Sequence, residues 1–111
     1  MRTLLHGFLA ALAIIASVTL FASNNVSAAG IGQVCGGLLG ISCDTGLFCL
    51  NKPGTCKIAD NQGKCIRVPT RCTRERIPVC GCDGKTYAND CLRLTAKVNL
   101  DHKGACLKPK Y

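Results

Sequence analysis

The chain has 111 residues, ten of them cysteine, no tryptophan and a formal net charge of +8. A large apolar core is excluded at this size and aromatic content, so a framework of crosslinks must carry much of the stability. An even cysteine count in a chain with an export signal argues for disulfides rather than for metal or redox chemistry.

The N-terminus supplies that signal. Arg2 and His6 precede an apolar run from Gly7 to Phe21, broken by Ser17 and Thr19, and the small residues of Val26-Ser27-Ala28-Ala29 follow. A basic start, a short apolar centre and a small-x-small end describe a secretory signal peptide, assigned to 1–28, with cleavage after Ala28 or Ala29. The competing reading is a membrane anchor. No positive flank follows the run and Ser23-Asn24-Asn25 breaks it, so cleavage is preferred and no stable membrane insertion is expected afterwards. About 82 residues then remain, secreted or periplasmic, with every cysteine retained. Removing Arg2 leaves thirteen Lys and Arg against six Asp and Glu, about +7.

Residues 30–57 are glycine-rich and nearly uncharged, and contain Cys35, Cys43, Cys49 and Cys56. Glycine recurs between the cysteines as tight turns require. The segment reads as a cysteine- and glycine-rich knot, similar to those of growth-factor-binding and follistatin-like modules. Four cysteines allow three pairings; Cys35–Cys49 with Cys43–Cys56 is the pairing expected here. Residues 58–64 are polar and turn-prone, and read as a connector.

The most informative stretch runs from Cys72 to Cys91. Thr73 to Val79 is basic, has one proline and no periodicity, and so reads as an exposed loop held at both ends by cysteine. Val79 to Gly81, an Asp83-Gly84 turn and Thr86 to Ala88 predict a hairpin. Asn89 or Asp90 caps a helix from about Cys91, with Cys91, Leu94, Thr95 and Val98 inward and Arg93 and Lys97 outward. Asn99 ends that helix, Leu100 to Cys106 returns as a third strand, and 107–111 forms a basic tail.

Cys72 is followed after seven residues by Cys80, within Pro78-Val79-Cys80-Gly81. Asp83-Gly84-Lys85-Thr86-Tyr87, Asn89-x-Cys91 and the closing Cys106 come next. This resembles the Kazal family of serine protease inhibitors over 65–106, here behind a knot in what looks like a secreted bacterial arrangement. The resemblance implies a small disulfide-rich α+β fold, a short antiparallel sheet plus one helix, preceded by the Cys/Gly-rich knot. It also implies the bridges Cys72–Cys91 and Cys80–Cys106. Where the family has a further cysteine this chain has Leu94, and an extra cysteine stands at Cys82. The inference is that Cys82 takes over that role and pairs with Cys65.

The resemblance further implies a protease-binding loop of Thr73, Arg74, Glu75 and Arg76. Arg74 would enter the primary specificity pocket, and Arg74–Glu75 would be the scissile bond. Asn89 would hold the loop backbone on both sides of that bond, and Tyr87 would pack beneath it. A guanidinium at that place suits a trypsin-like protease with a carboxylate at its pocket base. The expected activity is reversible, substrate-like inhibition by a monomer. The alternative is a non-inhibitory, follistatin-like extracellular module that binds another protein.

Other chemistries are less consistent with the residues. The competing reading of Arg74 is one more charge on a basic face with Arg67, Arg71 and Arg76, and Arg76–Ile77 offers a second bond to cleave. Cys80-Gly81-Cys82 lacks the thiolates a metal would need in an oxidising compartment, and His102 reads as a surface turn or strand contact. No enzyme, metal or cofactor is expected, because no serine, histidine and acid combination is spaced for catalysis. The positive charge favours polyanions only generally; without interleaved aromatics no nucleic acid partner is expected.

Overall fold

The structure, a computed structural model, describes residues 14–20 and 27–108. Most of the expected signal peptide, and the last three residues of the tail, lie outside the described residues. Residues 14–20 have no regular secondary structure and are exposed. Among the described residues, no helix is long and apolar enough to cross a membrane.

Two three-stranded antiparallel sheets make up the rest. In the first, β1 (Val34–Gly36), β2 (Leu47–Asn51) and β3 (Gln62–Arg67) are ordered β1-β3-β2. In the second, β4 (Val79–Gly81), β5 (Thr86–Tyr87) and β6 (Leu100–Lys103) are ordered β5-β4-β6. The helix α1 (Asp90–Thr95) stands between β5 and β6.

The core of the first sheet is small and partly sulfur. Cys35 and Cys65 are fully buried, Ala29 is buried beside them, and Ile41, Cys43, Leu47 and Cys49 pack against this group. Cys35 and Cys65 sit on the middle pairs of their strands, opposite Gly63 and Cys49 respectively. Side-chain alternation turns Cys65 to the covered face and leaves Lys64 exposed. After β1 the chain reverses so tightly that Gly36 and Ile41 exchange backbone hydrogen bonds at 2.7 and 3.1 Å. Gly36 has φ +67° there, and a Cβ on it would lie 2.5 Å from the Asn61 carbonyl oxygen. Only glycine fits that position.

Five disulfides join all ten cysteines: Cys35–Cys49, Cys43–Cys65, Cys56–Cys82, Cys72–Cys91 and Cys80–Cys106. Two expected bridges are therefore corrected. Cys43 joins Cys65 rather than Cys56, and Cys82 joins Cys56 rather than Cys65. The cause is β3. The stretch read as a connector over 58–64 contributes Gln62–Lys64 to a strand that continues through Cys65. Cys65 is thereby held against Cys43 in the first core, out of reach of Cys82. The boundary expected at Cys65 accordingly falls inside a strand.

The two sheets are braced to each other. The Asn99 side-chain oxygen accepts from the Asn51 N–H at 2.8 Å, and its nitrogen donates to the Cys49 carbonyl at 3.3 Å. The Gly54 N–H donates to the Leu100 carbonyl at 3.0 Å, and Cys56–Cys82 closes the joint covalently. The helix was expected to run to Asn99 but ends at Thr95 with Ala96 as its C-cap, and Asn99, four residues beyond, instead ties the strands of the first sheet to β6.

Candidate functional site

The site is built on β4, β5 and α1. The Gly84 N–H donates to the Gly81 carbonyl at 3.0 Å, and the Gly81 N–H donates to the Lys85 carbonyl at 2.9 Å. The β4–β5 turn thus centres on Cys82 and Asp83, with Gly84 following at φ +76°. That is a three-residue hairpin loop, one residue longer than a two-residue Asp83-Gly84 turn. The extra length leaves Cys82 exposed, where Cys56 meets it.

Asp83 organises this turn. Its carboxylate accepts from the Lys85 N–H at 3.1 Å and from the Tyr87 hydroxyl at 2.6 Å. The hydroxyl bond is the main cause that holds the Asp83 carboxyl below its ordinary pKa, and the same bond raises the Tyr87 phenol. The Tyr87 ring edge lies against Gly81, and its hydroxyl reaches back to the hairpin turn.

Asn89 begins the helix and is 6% exposed. Its side-chain oxygen accepts from the Leu92 N–H at 2.9 Å, the ordinary task of an N-cap. Its side-chain nitrogen then points away from the helix and donates to two carbonyls, Thr73 at 3.0 Å and Glu75 at 2.9 Å. These carbonyls lie on either side of Arg74 and of the Arg74–Glu75 bond. Further along, the Ile77 N–H donates to the Ala88 carbonyl at 2.9 Å, fastening the loop to the residue just before the cap. Cys72–Cys91 and Cys80–Cys106 fix the two ends of the loop.

Thr73 to Pro78 has no regular secondary structure and is exposed throughout. Thr73, Glu75 and Ile77 line a cleft of about 580 Å³ shared with Asn89, Asp90 and Lys103. Arg74 and Arg76 are exposed and are absent from that lining. Among the described residues neither forms an ion pair; the one salt bridge joins Arg93 to Asp90 at 2.7 Å.

Arg93 corrects a sequence expectation. It is 3% exposed rather than outward, and its guanidinium bonds the Asp90 carboxylate and the Val98 carbonyl. It fastens the start of the six-residue helix to the turn that follows it. The acid three residues before it was the available signal, because i and i+3 share a helix face.

The arrangement has the means to hold a peptide rigid. Cys80, Asp101 and His102 come close enough to suggest a metal site, as do Cys35, Cys43 and Cys65. All four of these cysteines are in disulfides, so neither group offers the thiolates a metal would take. His102 lies on β6 beside Cys80, with Nδ1 2.8 Å from the Lys103 carbonyl.

Comparison with known proteins gives consistent matches. The model of the Kazal-type serine protease inhibitor domain matches residues 49–106, from within β2 to the last cysteine. Serine protease inhibitor Kazal-type 1-like of Rattus norvegicus is 34% identical over 68 residues, covering 54% of this chain and 86% of that protein. Serine protease inhibitor Kazal-type 6 of the same species is 46% identical over 41 residues, 32% of this chain and 39% of that protein. Turripeptide Ici9.2 of Iotyrris cingulifera is 54% identical over 43 residues, 33% of this chain and 61% of the peptide. The chain thus spans well under two thirds of some of these curated relatives.

Proposed function

Since the chain belongs to the Kazal-type serine protease inhibitor family, we propose that it is an exported inhibitor that captures a trypsin-like serine protease. Thr73, Arg74, Glu75 and Arg76 are its reactive loop, and Arg74 enters the primary pocket of the enzyme. The observation that carries this reading is the Asn89 side-chain nitrogen, which spans the Thr73 and Glu75 carbonyls.

The mechanism rests on order. A free peptide loses conformational entropy on entering a protease cleft, whereas this loop is already fixed by two bridges and three backbone contacts. The protease serine attacks the Arg74 carbonyl and expels the Glu75 nitrogen as an amine, leaving an acyl-enzyme. Asn89 keeps the Glu75 carbonyl in place, and Ile77 stays bonded to Ala88. The amine therefore remains beside the ester, and its return attack restores the peptide bond faster than water can enter. An interface of ordinary size, roughly 1,600 Å² in total, suffices when the central anchor is good.

Titration of trypsin with the oxidised, leader-free protein tests the reading. Stoichiometric inhibition is expected, weakened about 30-fold or more by Arg74→Ala, the ~2 kcal/mol or more of a central anchor. Absence of inhibition, with the loop intact by mass spectrometry, would instead favour a non-inhibitory protein-binding module.

A further inference from the structure

After β1 the chain turns through Gly37-Leu38-Leu39-Gly40, closed by the Gly40 N–H donating to the Gly37 carbonyl at 3.0 Å. Leucine therefore holds both central positions of a β-turn, where polar residues, glycine and proline are usual. Both leucines are 84% exposed, and the glycines beside them take φ +72° and +59°. The turn thus lifts two adjacent apolar side chains into solvent on a backbone that suits glycine. A Cβ on Gly37 would lie 2.9 Å from the Gln62 side chain, so the tip adjoins the start of β3. Gln62 also lines a cleft of about 450 Å³ on this sheet, where Val34, Leu50 and Ile66 are apolar and Lys52 and Lys64 carry charge. Lys64 pairs across the sheet with both Val34 and Leu50. No acid lines the cleft, and neither lysine has an acidic partner among the described residues. The segment ahead of β3 adds Lys57 and Asp60, which offset each other.

We propose that this tip and cleft form a docking site for the surface of an anionic lipid bilayer. Leu38 and Leu39 enter the boundary between headgroups and acyl chains, and Lys52 and Lys64 meet the lipid phosphates. Charge complementarity selects that occupant. A second copy would bring the same lysines face to face, and the chain's own tail, Lys108-Pro109-Lys110-Tyr111, is basic as well. An acidic protein would also meet the lysines, but the two leucines stand outside the cleft at the apex of a turn. An apolar apex of that kind enters a deformable medium more readily than it covers a flat surface. The contact is reversible adsorption of one turn and not a span. The reactive loop is built on the other sheet, so this contact is separate from protease capture and does not depend on it.

The test sediments the oxidised, leader-free protein with vesicles, either of equal phosphatidylglycerol and phosphatidylcholine or of phosphatidylcholine alone, at about 0.05 and 0.5 M salt. The anionic vesicles should carry the protein down at low salt, and the neutral ones should not. Leu38→Ser with Leu39→Ser should weaken that partition about tenfold or more. Lys52→Gln with Lys64→Gln should weaken it about tenfold or more at low salt and little at high salt. The chain has no tryptophan, so Leu39→Trp supplies a single reporter. Its emission should shift to shorter wavelength on anionic vesicles and be quenched by brominated acyl chains. Equal partition of the wild type and the leucine variant, or an unshifted tryptophan, would reduce the contact to the general attraction of a basic protein and overturn the site. Leucine-dependent binding to soluble polyglutamate, at least as tight as to the vesicles, would assign the site to an acidic polypeptide instead. A lipid-free dimer that dissociates on the serine substitutions would assign it to self-association. Leu38, Leu39, Lys52 and Lys64 are exposed, so the variants should keep the native disulfides, which the mass of the unreduced protein verifies.

Discussion

Asn89 serves the helix with one end of its amide and the loop with the other, and the two duties separate chemically. Aspartate keeps the oxygen that caps Leu92 but has no hydrogens for the Thr73 and Glu75 carbonyls. Asn89→Asp should therefore retain most of the thermal stability, while weakening protease inhibition about tenfold or more and speeding cleavage at Arg74–Glu75. Asn89→Ala should lose both functions, with the ~1 kcal/mol of a missing cap visible in the melting temperature. Equal loss of stability in the two variants would show that the loop contacts, rather than the cap, dominate the fold. The Asp83–Tyr87 bond gives a second residue-scale prediction. Lowering the Asp83 pKa adds stability at pH above its ordinary value of 3.8, and that contribution is lost as pH falls through the lowered value. Raising the Tyr87 pKa adds stability below 10.0, and that contribution is lost as pH rises through the raised value. Tyr87→Phe should move the Asp83 carboxyl midpoint back up towards 3.8 in an NMR titration. An unmoved midpoint would assign the depression to the Lys85 contacts instead.

At the scale of elements, legibility depended on how local the deciding contact was. The hairpin and the helix start were readable because Gly84 and Asn89 act on backbone within three residues of themselves. Arg93 was misread because its burial depends on Asp90 closing over it and on the Val98 carbonyl at the end of the turn. The larger failure was β3. Gln62-Gly63-Lys64 is polar enough to read as a connector, yet its pairing with both β1 and β2 makes it the central strand. Central pairing is decided by partners far away in sequence, and both misassigned disulfides follow from it. The loop residues were legible from their spacing, whereas the positions of Arg74 and Arg76 relative to the cleft required the fold. The first element also bears on the leader. Ala29 is buried, its N–H donates to the Ser42 carbonyl at 2.8 Å, and its carbonyl accepts from the Asp44 N–H at 2.8 Å. Cleavage after Ala28 keeps these contacts and cleavage after Ala29 removes them. Under the proposed export reading, N-terminal sequencing of the processed protein should therefore begin at Ala29; a start at Gly30 would show that these contacts are dispensable.

Taken whole, the molecule divides its crosslinks by task. Cys35–Cys49 and Cys43–Cys65 replace a core that few apolar side chains could build, and each includes a fully buried sulfur-bearing residue. Cys72–Cys91 and Cys80–Cys106 hold the loop. Cys56–Cys82 does neither; it joins the two sheets, and it is the one bridge whose cysteines are both exposed. Thiol attack on a disulfide requires access, so limited reduction should open this bridge first. Brief treatment with a dilute dithiol followed by alkylation should yield a species labelled at Cys56 and Cys82 alone. That species should still inhibit trypsin, because the Asn99 brace and both loop bridges survive. Its thermal stability should fall by about 2–4 kcal/mol, the usual contribution of a single bridge. First labelling at Cys72 and Cys91 would mean that the loop opens more readily than the joint. Loss of inhibition on labelling Cys56 and Cys82 alone would mean that the first sheet acts on the loop through this bridge.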